Sequence, residues 1–197
     1  RYYNKDMFDE VGVPYLPTNW GDLKFEDYRP MMSNFVRRER PTRWGTSNYG
    51  LSAAGNAWVM QIWLRGFGAN MVDQNDPDVS GLCTPEALEC LETARQMIHE
   101  EHSFAYGAET SGQSLEVLFN NAAIGVMEVG SWMLRPLVTG SWSIDEGGDD
   151  WLDFKWDVAP FWAGSGGITS HQSVDGQGCW SKGPNVDMAW ELCKEVA

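Results

Sequence analysis

The sequence predicts an α/β fold in which a mixed sheet is flanked by helices. Segments with apolar residues at helical spacing alternate with short β-branched segments, and no internal repeat interrupts that order. The clearest strand is residues 122–129, which are apolar and β-branched. The clearest helix start is Thr84-Pro85-Glu86, where a hydroxyl cap, a proline and an acid follow one another. This alternating order favours a layered fold over a bundle or a sandwich.

Other elements can be placed in chain order. Strands are expected at 2–3, 156–161 and 174–180, and connectors at 12–14, 37–43, 141–150 and 163–167. A short amphipathic turn is expected at 7–11, and helices at 52–67, 84–98, 114–120, 131–137 and 184–197. Thr18 is expected to cap a further helix, which Pro30 breaks or kinks. Leu88, Ala94 and Ile98 are expected on the apolar side of the helix that follows Thr84.

Composition restricts the function classes. The net charge is −14, from 14 basic and 28 acidic residues. Such a chain repels nucleic acid and anionic membrane surfaces, so a neutral or cationic ligand fits it better. With 43% hydrophobic and 21% charged residues, the composition is neither disordered nor that of a membrane protein. A need for solubility alone can also explain much of this excess of acidic residues.

The two ends of the chain suggest a piece of a longer protein. The sequence opens on Arg1-Tyr2-Tyr3, a strand pattern already under way, and stops inside the helical pattern 190–197. It has no secretory leader, but a secreted precursor would have lost one, so this absence decides nothing.

The four cysteines are Cys83, Cys90, Cys179 and Cys193, and none form a C-x-x-C pair. A zinc ribbon or a thioredoxin-type site is therefore not expected. Cys83 and Cys90 lie about 10 Å apart along one helix, too far for a disulfide. Cys179 and Cys193 can form a disulfide only if their strand and helix pack together, and the sequence does not decide whether they do. The alternative for all four is a small buried apolar side chain.

Four short segments occur in a recognisable order. They are Tyr2-Tyr3-Asn4-Lys5-Asp6 with Phe8 and Gly12-Val13-Pro14; Ala123-Ile124-Gly125-Val126-Met127 with Gly130-Ser131-Trp132; Val158-Ala159-Pro160 with Gly164; and Gly176-Gln177-Gly178 with Ser181-Lys182 and Ala189-Trp190. Over almost the whole chain, this set resembles the extracellular solute-binding proteins of family 1, the maltose-binding-protein type. Three positions depart from that family's pattern: Trp162 replaces a Pro, Cys179 an apolar residue, and Gly21 the acid that often follows the Trp.

The resemblance implies a type II periplasmic-binding-protein-like fold, in which two α/β lobes close over a solute. Residues 1–168 would form one nearly complete lobe, and residues 169–197 would start the second. The family also implies a monomeric component of an ABC importer, located in the periplasm or outside the cell, with a lipid anchor on a missing N-terminus as one option. It would deliver a carbohydrate to membrane permease subunits without a cofactor.

A carbohydrate site needs flat aromatic faces and a few placed polar groups. Trp132 is the first candidate, because it follows the strand at 122–129 and open α/β sheets bind ligands beyond strand ends. The family also places an aromatic residue at this G-x-W position. Glu128, in the same strand, is expected to face the cleft and accept hydroxyl protons. The alternatives are a packed Trp132 and a solvated or salt-bridged Glu128.

Four further residues are weaker candidates for ligand contacts. Asn56 and Trp58 lie near the start of a helix that the family uses for such contacts. Asp175 and Gln177 lie on a Gly-rich strand, where the backbone can approach a ligand closely. An ordinary place in a helix or loop is the alternative for each.

Catalysis and metal binding are not expected. Ser165 misses a G-x-S-x-G motif at its first position, and no segment singles out the two carboxylates of a glycosidase. His99 and His102 stand at i, i+3 and not at the spacing of H-E-x-x-H. The acidic loop from Asp76 has Ala87 where a calcium loop needs its twelfth-position glutamate. A cationic solute such as a polyamine is the main alternative to a carbohydrate, and a carbohydrate-active hydrolase is the alternative from another class.

Overall fold

A four-stranded mixed sheet organises the chain. The computed structural model describes residues 1–49, 51, 57–140, 152–170, 179 and 181–196. The strands of the sheet are β1 (Tyr2–Asn4), β2 (Trp44–Asn48), β3 (Ile124–Glu128) and β4 (Trp156–Val158), in the order β2-β3-β1-β4. β2 runs parallel to β3, and β1 runs antiparallel to both β3 and β4. The predicted mixed α/β architecture is confirmed.

Helices connect and cover the strands. They are α1 (Lys5–Val11), α2 (Phe25–Ser33), α3 (Ala57–Gly66), α4 (Pro85–His99), α5 (Leu115–Asn120), α6 (Leu134–Thr139) and α7 (Val186–Val196). Thr84 caps α4 as predicted, because its Oγ1 accepts a hydrogen bond from the Ala87 N–H at 3.2 Å. Gly12 ends α1 in the left-handed conformation, with φ 71°. None of the helices in the described ranges is long and apolar enough to cross a membrane.

Some details of the predicted helices are wrong. Thr18 caps no helix, since α2 begins only at Phe25 after Lys24. Pro30 lies inside α2 and does not break it, and a kink there stays a prediction. α2 is held there by packing, because Phe25, Tyr28 and Met32 share one buried face. Leu88 is 67% exposed, because α4 turns the face containing Ala87 and Met97 toward the core.

Other differences concern strands and connectors. The expected strand at 156–161 is shortened to β4, and the expected connector at 163–167 forms a hairpin of β5 (Ala163–Gly164) and β6 (Gly167–Ile168). The expected strand at 174–180, the loop at 141–150 and the first turn of the helix at 52–67 lie largely or wholly outside the described residues.

The sheet has a hydrophobic core on each face. One core contains Val126 of β3 with Trp63 and Trp162, whose rings meet edge to face at 5.3 Å. The other contains Met127 of β3, on the opposite side of the strand from Val126, and Phe119 of α5. β3 is therefore central and buried, and its carboxyl end lies beside that of the parallel strand β2.

The cysteines do not all occupy buried positions. Cys90 is buried, but Cys83 is exposed, so the expectation of a buried apolar role is wrong for Cys83. Cys179 and Cys193 are both partly exposed.

Candidate functional site

An open groove of about 880 Å³ lies beyond the carboxyl end of β3. Its walls come mainly from four parts of the chain: the end of β3 with the turn after it, α3, the segment before α2, and β4 with the residues that follow it. Arg1 and Ser170 complete the lining. This is where ligands of open α/β sheets bind, outside the carboxyl ends of the strands. Its aromatic lining residues are Trp20, Trp58, Trp132 and Phe161.

Trp132 lines the groove from a short 3-10 turn, Ser131–Met133, directly after β3. Its side chain is 43% exposed, whereas the neighbouring Met133 is buried in the core. The Trp132 ring meets the Trp58 ring edge to face, with centroids 5.3 Å apart and planes at 72°. The two rings thus form a partly open aromatic corner at the groove wall.

Gly130 makes the position of the Trp132 ring possible. A Cβ atom on Gly130 would lie only 1.9 Å from Cζ3 of Trp132, because the indole folds back over the glycine. The backbone of Gly130 has φ −78°, which any residue can adopt, so the glycine is needed here for space and not for conformation.

Glu128 borders the groove but is only 1% exposed. Its Oε1 accepts a hydrogen bond from the Tyr28 hydroxyl at 2.9 Å. Its Oε2 accepts from Asn48 Nδ2 at 3.0 Å and from Trp63 Nε1 at 2.8 Å. The carboxylate therefore joins α2, β2, α3 and β3 immediately behind the groove wall.

Tyr28 supports this network as a permanent donor. Its side chain is fully buried, and its hydroxyl is also 2.8 Å from Thr46 Oγ1. Burial first, and the nearby charge of Glu128 second, hold the pKa of Tyr28 well above its ordinary value. The phenol therefore stays protonated and keeps its hydrogen bond to Glu128.

Arg1 adds a buried positive charge to the same wall. Its Nε donates to the Pro160 carbonyl at 2.9 Å, and its Nη2 donates to the same oxygen. The guanidinium lies 4.7 Å from the ring centroid of Tyr28 and 5.4 Å from that of Phe161. Its Nη1 is buried without a hydrogen-bond partner among the described residues.

The charges of the groove are nearly balanced among its described lining residues. The acids are Glu128 and Asp157, and Arg1 opposes them. Asp157 is half exposed and lies 3.8 Å from the ammonium group of Lys5. The groove thus lacks the cluster of acids that a polyamine site would need, within the part of the chain that the structure describes.

The structure brings together three of the six candidate residues. Glu128, Trp58 and Trp132 line one groove, whereas Asn56, Asp175 and Gln177 lie outside the described residues. Among the described side chains, no group of three or more His, Cys, Asp or Glu could hold a metal ion.

The sequence reasoning missed several lining residues. Trp20 is 54% exposed at the groove, although the sequence predicted a helix that begins after Thr18 at this position. The sequence did not single out Arg1, Asp157 or Phe161, because they come from three separate places: just before β1, within β4 and after β4. A usable signal for Trp20 was its agreement with the Trp of the family's pattern, in which an acid often stands at the position of Gly21.

An α/β fold with an aromatic groove beyond the carboxyl end of a strand is typical of proteins that bind small molecules. The model of the bacterial extracellular solute-binding protein family matches residues 2–196. The chain belongs to this family.

Individual relatives are distant and longer than this chain. BAB2_0491 of Brucella abortus (strain 2308), a binding protein by name, is 23% identical over 196 residues, which are 97% of this chain and 42% of that protein. This chain thus spans less than half the length of the curated relative.

Solved structures show the same fold. The ABC substrate-binding protein Lmo0181 from Listeria monocytogenes, in complex with cycloalternan, superposes with a TM-score of 0.71 at 20% identity, covering 98% of this chain and 44% of that one. A Thermotoga lettingae solute-binding protein bound with α-D-tagatose has a TM-score of 0.63 at 12% identity, covering 99% and 46%. UgpB from Mycobacterium tuberculosis, in complex with glycerophosphocholine, has a TM-score of 0.60 at 17% identity, covering 83% and 35%. The fold is that of the type II periplasmic binding proteins.

Proposed function

We propose that this chain is part of the extracytoplasmic solute-binding component of an ABC importer, and that the solute is a carbohydrate. The observation that carries the proposal is the aromatic corner of Trp58 and Trp132 at the mouth of a groove of about 880 Å³. Residues 1–168 would form most of one lobe, and residues 169–197 would enter the other.

Aromatic walls and balanced charge favour a neutral sugar. A pyranose ring presents polarised C–H groups on its faces and hydroxyls at its edge, so it stacks on indoles and hydrogen-bonds around its rim. Trp20, at 54% exposed, would add a third indole on another side of the groove. Two of the similar solved structures hold carbohydrates.

Polar contacts would complete the site. Glu128 accepts three protein hydrogen bonds and is only 1% exposed, so it would act mainly by holding the groove wall in place. The one acceptor position that remains of about four on a carboxylate stays a proposed contact for a ligand hydroxyl. Asn56, Asp175 and Gln177 stay proposed contacts from segments that flank the groove in sequence. Binding would be non-covalent and would need no cofactor.

Closure of the two lobes would bury the solute, and the closed form would dock on the permease subunits. A cationic solute is the second candidate, because Glu128 and Asp157 both line the groove. The opposing charge of Arg1 makes this candidate weaker than a sugar. Catalysis has less support still, since Glu128 is already bonded to three protein groups.

The test is a thermal-shift screen of the full-length protein against sugars, sugar alcohols and polyamines. A ligand that binds the native state raises its melting temperature by mass action. We expect a sugar to give the largest rise. A rise with polyamines alone would contradict the carbohydrate assignment.

Calorimetric titration of the best sugar then tests the aromatic corner. Trp132→Ala is expected to weaken binding by about 2 kcal/mol, or about thirtyfold in Kd, because a stacking surface is lost. Tyr15→Ala is the matched control: Tyr15 is also 43% exposed but does not line the groove. Equal affinity of wild type and Trp132→Ala would rule out this site.

A further inference from the structure

The thiols of Cys179 and Cys193 lie in direct contact. Their Sγ atoms are 3.2 Å apart, although the residues are 14 positions apart in sequence. Cys193 belongs to α7, and Cys179 precedes that helix. Both side chains are partly exposed, so a reagent can reach them.

The other two thiols differ from this pair. Cys90 is buried in α4, and Cys83 is exposed just before the same helix. Neither has another cysteine as a hydrogen-bond partner among the described residues. Cys179 and Cys193 are thus the described thiols in contact with each other, and their sulfur atoms are about 1 Å farther apart than those of a disulfide.

We propose that Cys179 and Cys193 form an intramolecular disulfide in the working protein. The inference rests on this contact and on the extracellular assignment of the family, since disulfides persist in oxidising compartments outside the cytoplasm. It does not depend on which solute the groove binds.

The oxidant is a disulfide, carried by a thiol–disulfide oxidoreductase or by a small molecule such as oxidised glutathione. One cysteine, as its thiolate, attacks a sulfur of the oxidant, forms a mixed disulfide and releases one thiol. The second cysteine then loses its proton, attacks the protein sulfur of the mixed disulfide and releases the second thiol. In sum, two protons and two electrons leave the cysteines, and the oxidant's disulfide becomes two thiols.

The bond would fasten α7 to the segment that leads into it. The hydrogen bond to Cys193, together with partial burial, raises the pKa of the Cys179 thiol. That thiol is therefore protonated near neutral pH, and an exchange catalyst would be a more effective oxidant than air. Closing the loop removes freedom from the unfolded chain, so oxidation should raise the melting temperature.

Peptide mapping tests the proposal directly. The full-length protein is equilibrated with a glutathione redox buffer, alkylated, digested with trypsin and analysed by mass spectrometry without reduction. Cleavage after Lys155, Lys182 and Lys194 places Cys179 in peptide 156–182 and Cys193 in peptide 183–194. The expected product is these two peptides joined, lighter than their sum by two hydrogen atoms.

The same digest contains its own control. Cys83 and Cys90 share the peptide 66–95, which should carry two alkyl groups. Three results would each overturn the proposal. The Cys179 and Cys193 peptides could be alkylated and unlinked, a disulfide could involve Cys83, or a non-reducing gel could show a disulfide-bonded dimer.

Serine variants add a second readout. Reductant should lower the melting temperature of the oxidised wild type by several degrees, and it should leave Cys179→Ser and Cys193→Ser unchanged. Cys83→Ser is the matched control and should keep the full response of the wild type. The assay contains no solute, so its outcome is independent of the carbohydrate assignment.

Discussion

At the scale of single residues, the site depends on one missing Cβ atom. Gly130 leaves the space into which the Trp132 ring folds. A Cβ atom on Gly130 would lie only 1.9 Å from the nearest atom of that ring. The ring orientation is therefore set by its neighbour, and the exposed position of the ring allows it to swing away when that space is filled.

Gly130→Ala should weaken sugar binding while preserving the fold. The backbone of Gly130 is in an ordinary region, so the change acts through displacement of the indole. Calorimetry should show a loss of about tenfold or more. A double-mutant cycle is the control. Adding Gly130→Ala to Trp132→Ala should weaken sugar binding little beyond the effect of Trp132→Ala alone. If the two losses of affinity were additive, Gly130 would not act by positioning the Trp132 ring.

The Glu128 network is tested by Tyr28→Phe. Without the hydroxyl, the buried carboxylate of Glu128 and the hydroxyl of Thr46 each lose one hydrogen-bond partner. The free energy of unfolding should therefore fall by about 1–3 kcal/mol. Urea unfolding measures the change. Tyr15→Phe is the control, since its hydroxyl bonds Asp9 at an exposed site and should matter by less than about 0.5 kcal/mol. Equal effects of the two changes would contradict the account.

Buried tyrosines also predict a response to high pH. Burial is the main cause that raises the pKa of Tyr28 well above its ordinary value and the pKa of Tyr3 to about 12. The neutral phenols therefore stabilise the fold fully below about pH 10, where unfolded tyrosine titrates, and this stabilisation is lost as pH rises through the folded pKa values.

Denaturant unfolding at a series of alkaline pH values should show stability declining from about pH 10 upward. Tyr28→Phe should have a shallower decline than wild type. Ultraviolet titration that showed every tyrosine ionising near pH 10 with the fold intact would contradict the prediction.

At the scale of elements, capping residues in the sequence predicted where some helices start and end better than they predicted element lengths. Thr84 was identified as a cap because hydroxyl, proline and acid act together within a few residues. α2 was misplaced because Thr18 is an equally good cap by composition, and only the packing of Phe25, Tyr28 and Met32 decides where that helix forms.

Thr84→Ala should lower the free energy of unfolding by about 1 kcal/mol, because the Ala87 N–H loses its acceptor. Thermal or urea unfolding measures the change. Thr84→Ser keeps the hydroxyl and is the control, with an expected change near zero. A loss of the same size in both variants would show that the methyl group, and not the cap, is responsible.

β2 could not be predicted from local pattern. Its residues Thr46, Ser47 and Asn48 are polar, yet all three are fully buried. They are stable there because distant groups bond them: Ser47 Oγ donates to the Ala105 carbonyl at 3.0 Å, and Asn48 donates to Glu128. Such pairing across 50 or more positions leaves no trace in local periodicity.

At the scale of the whole molecule, the fold was predictable and the site only in part. Trp132 and Glu128 were predicted at one cleft and both line the groove, because they lie at or just after the carboxyl end of a strand that the sequence marks clearly. Their contact with a ligand stays a prediction. Trp20, Arg1 and Phe161 reach the same groove from separate segments, and a single sequence does not show which segments meet.

The extent of the chain matters for function. It spans 42–46% of the length of the curated relative and of two of the similar structures. If two lobes must enclose the solute, residues 1–197 alone should bind sugar weakly or not at all. Calorimetry on the 197-residue chain and on the full-length protein compares the two, and equal affinity would show that one lobe suffices.

The most direct measurement is a crystal structure of the full-length protein with the sugar selected by thermal shift. The account predicts a sugar ring in van der Waals contact with the Trp132 indole, beyond the end of β3, with Trp58 closing the corner. A sugar bound elsewhere, or a Trp132 ring covered by protein while the sugar is bound, would contradict it.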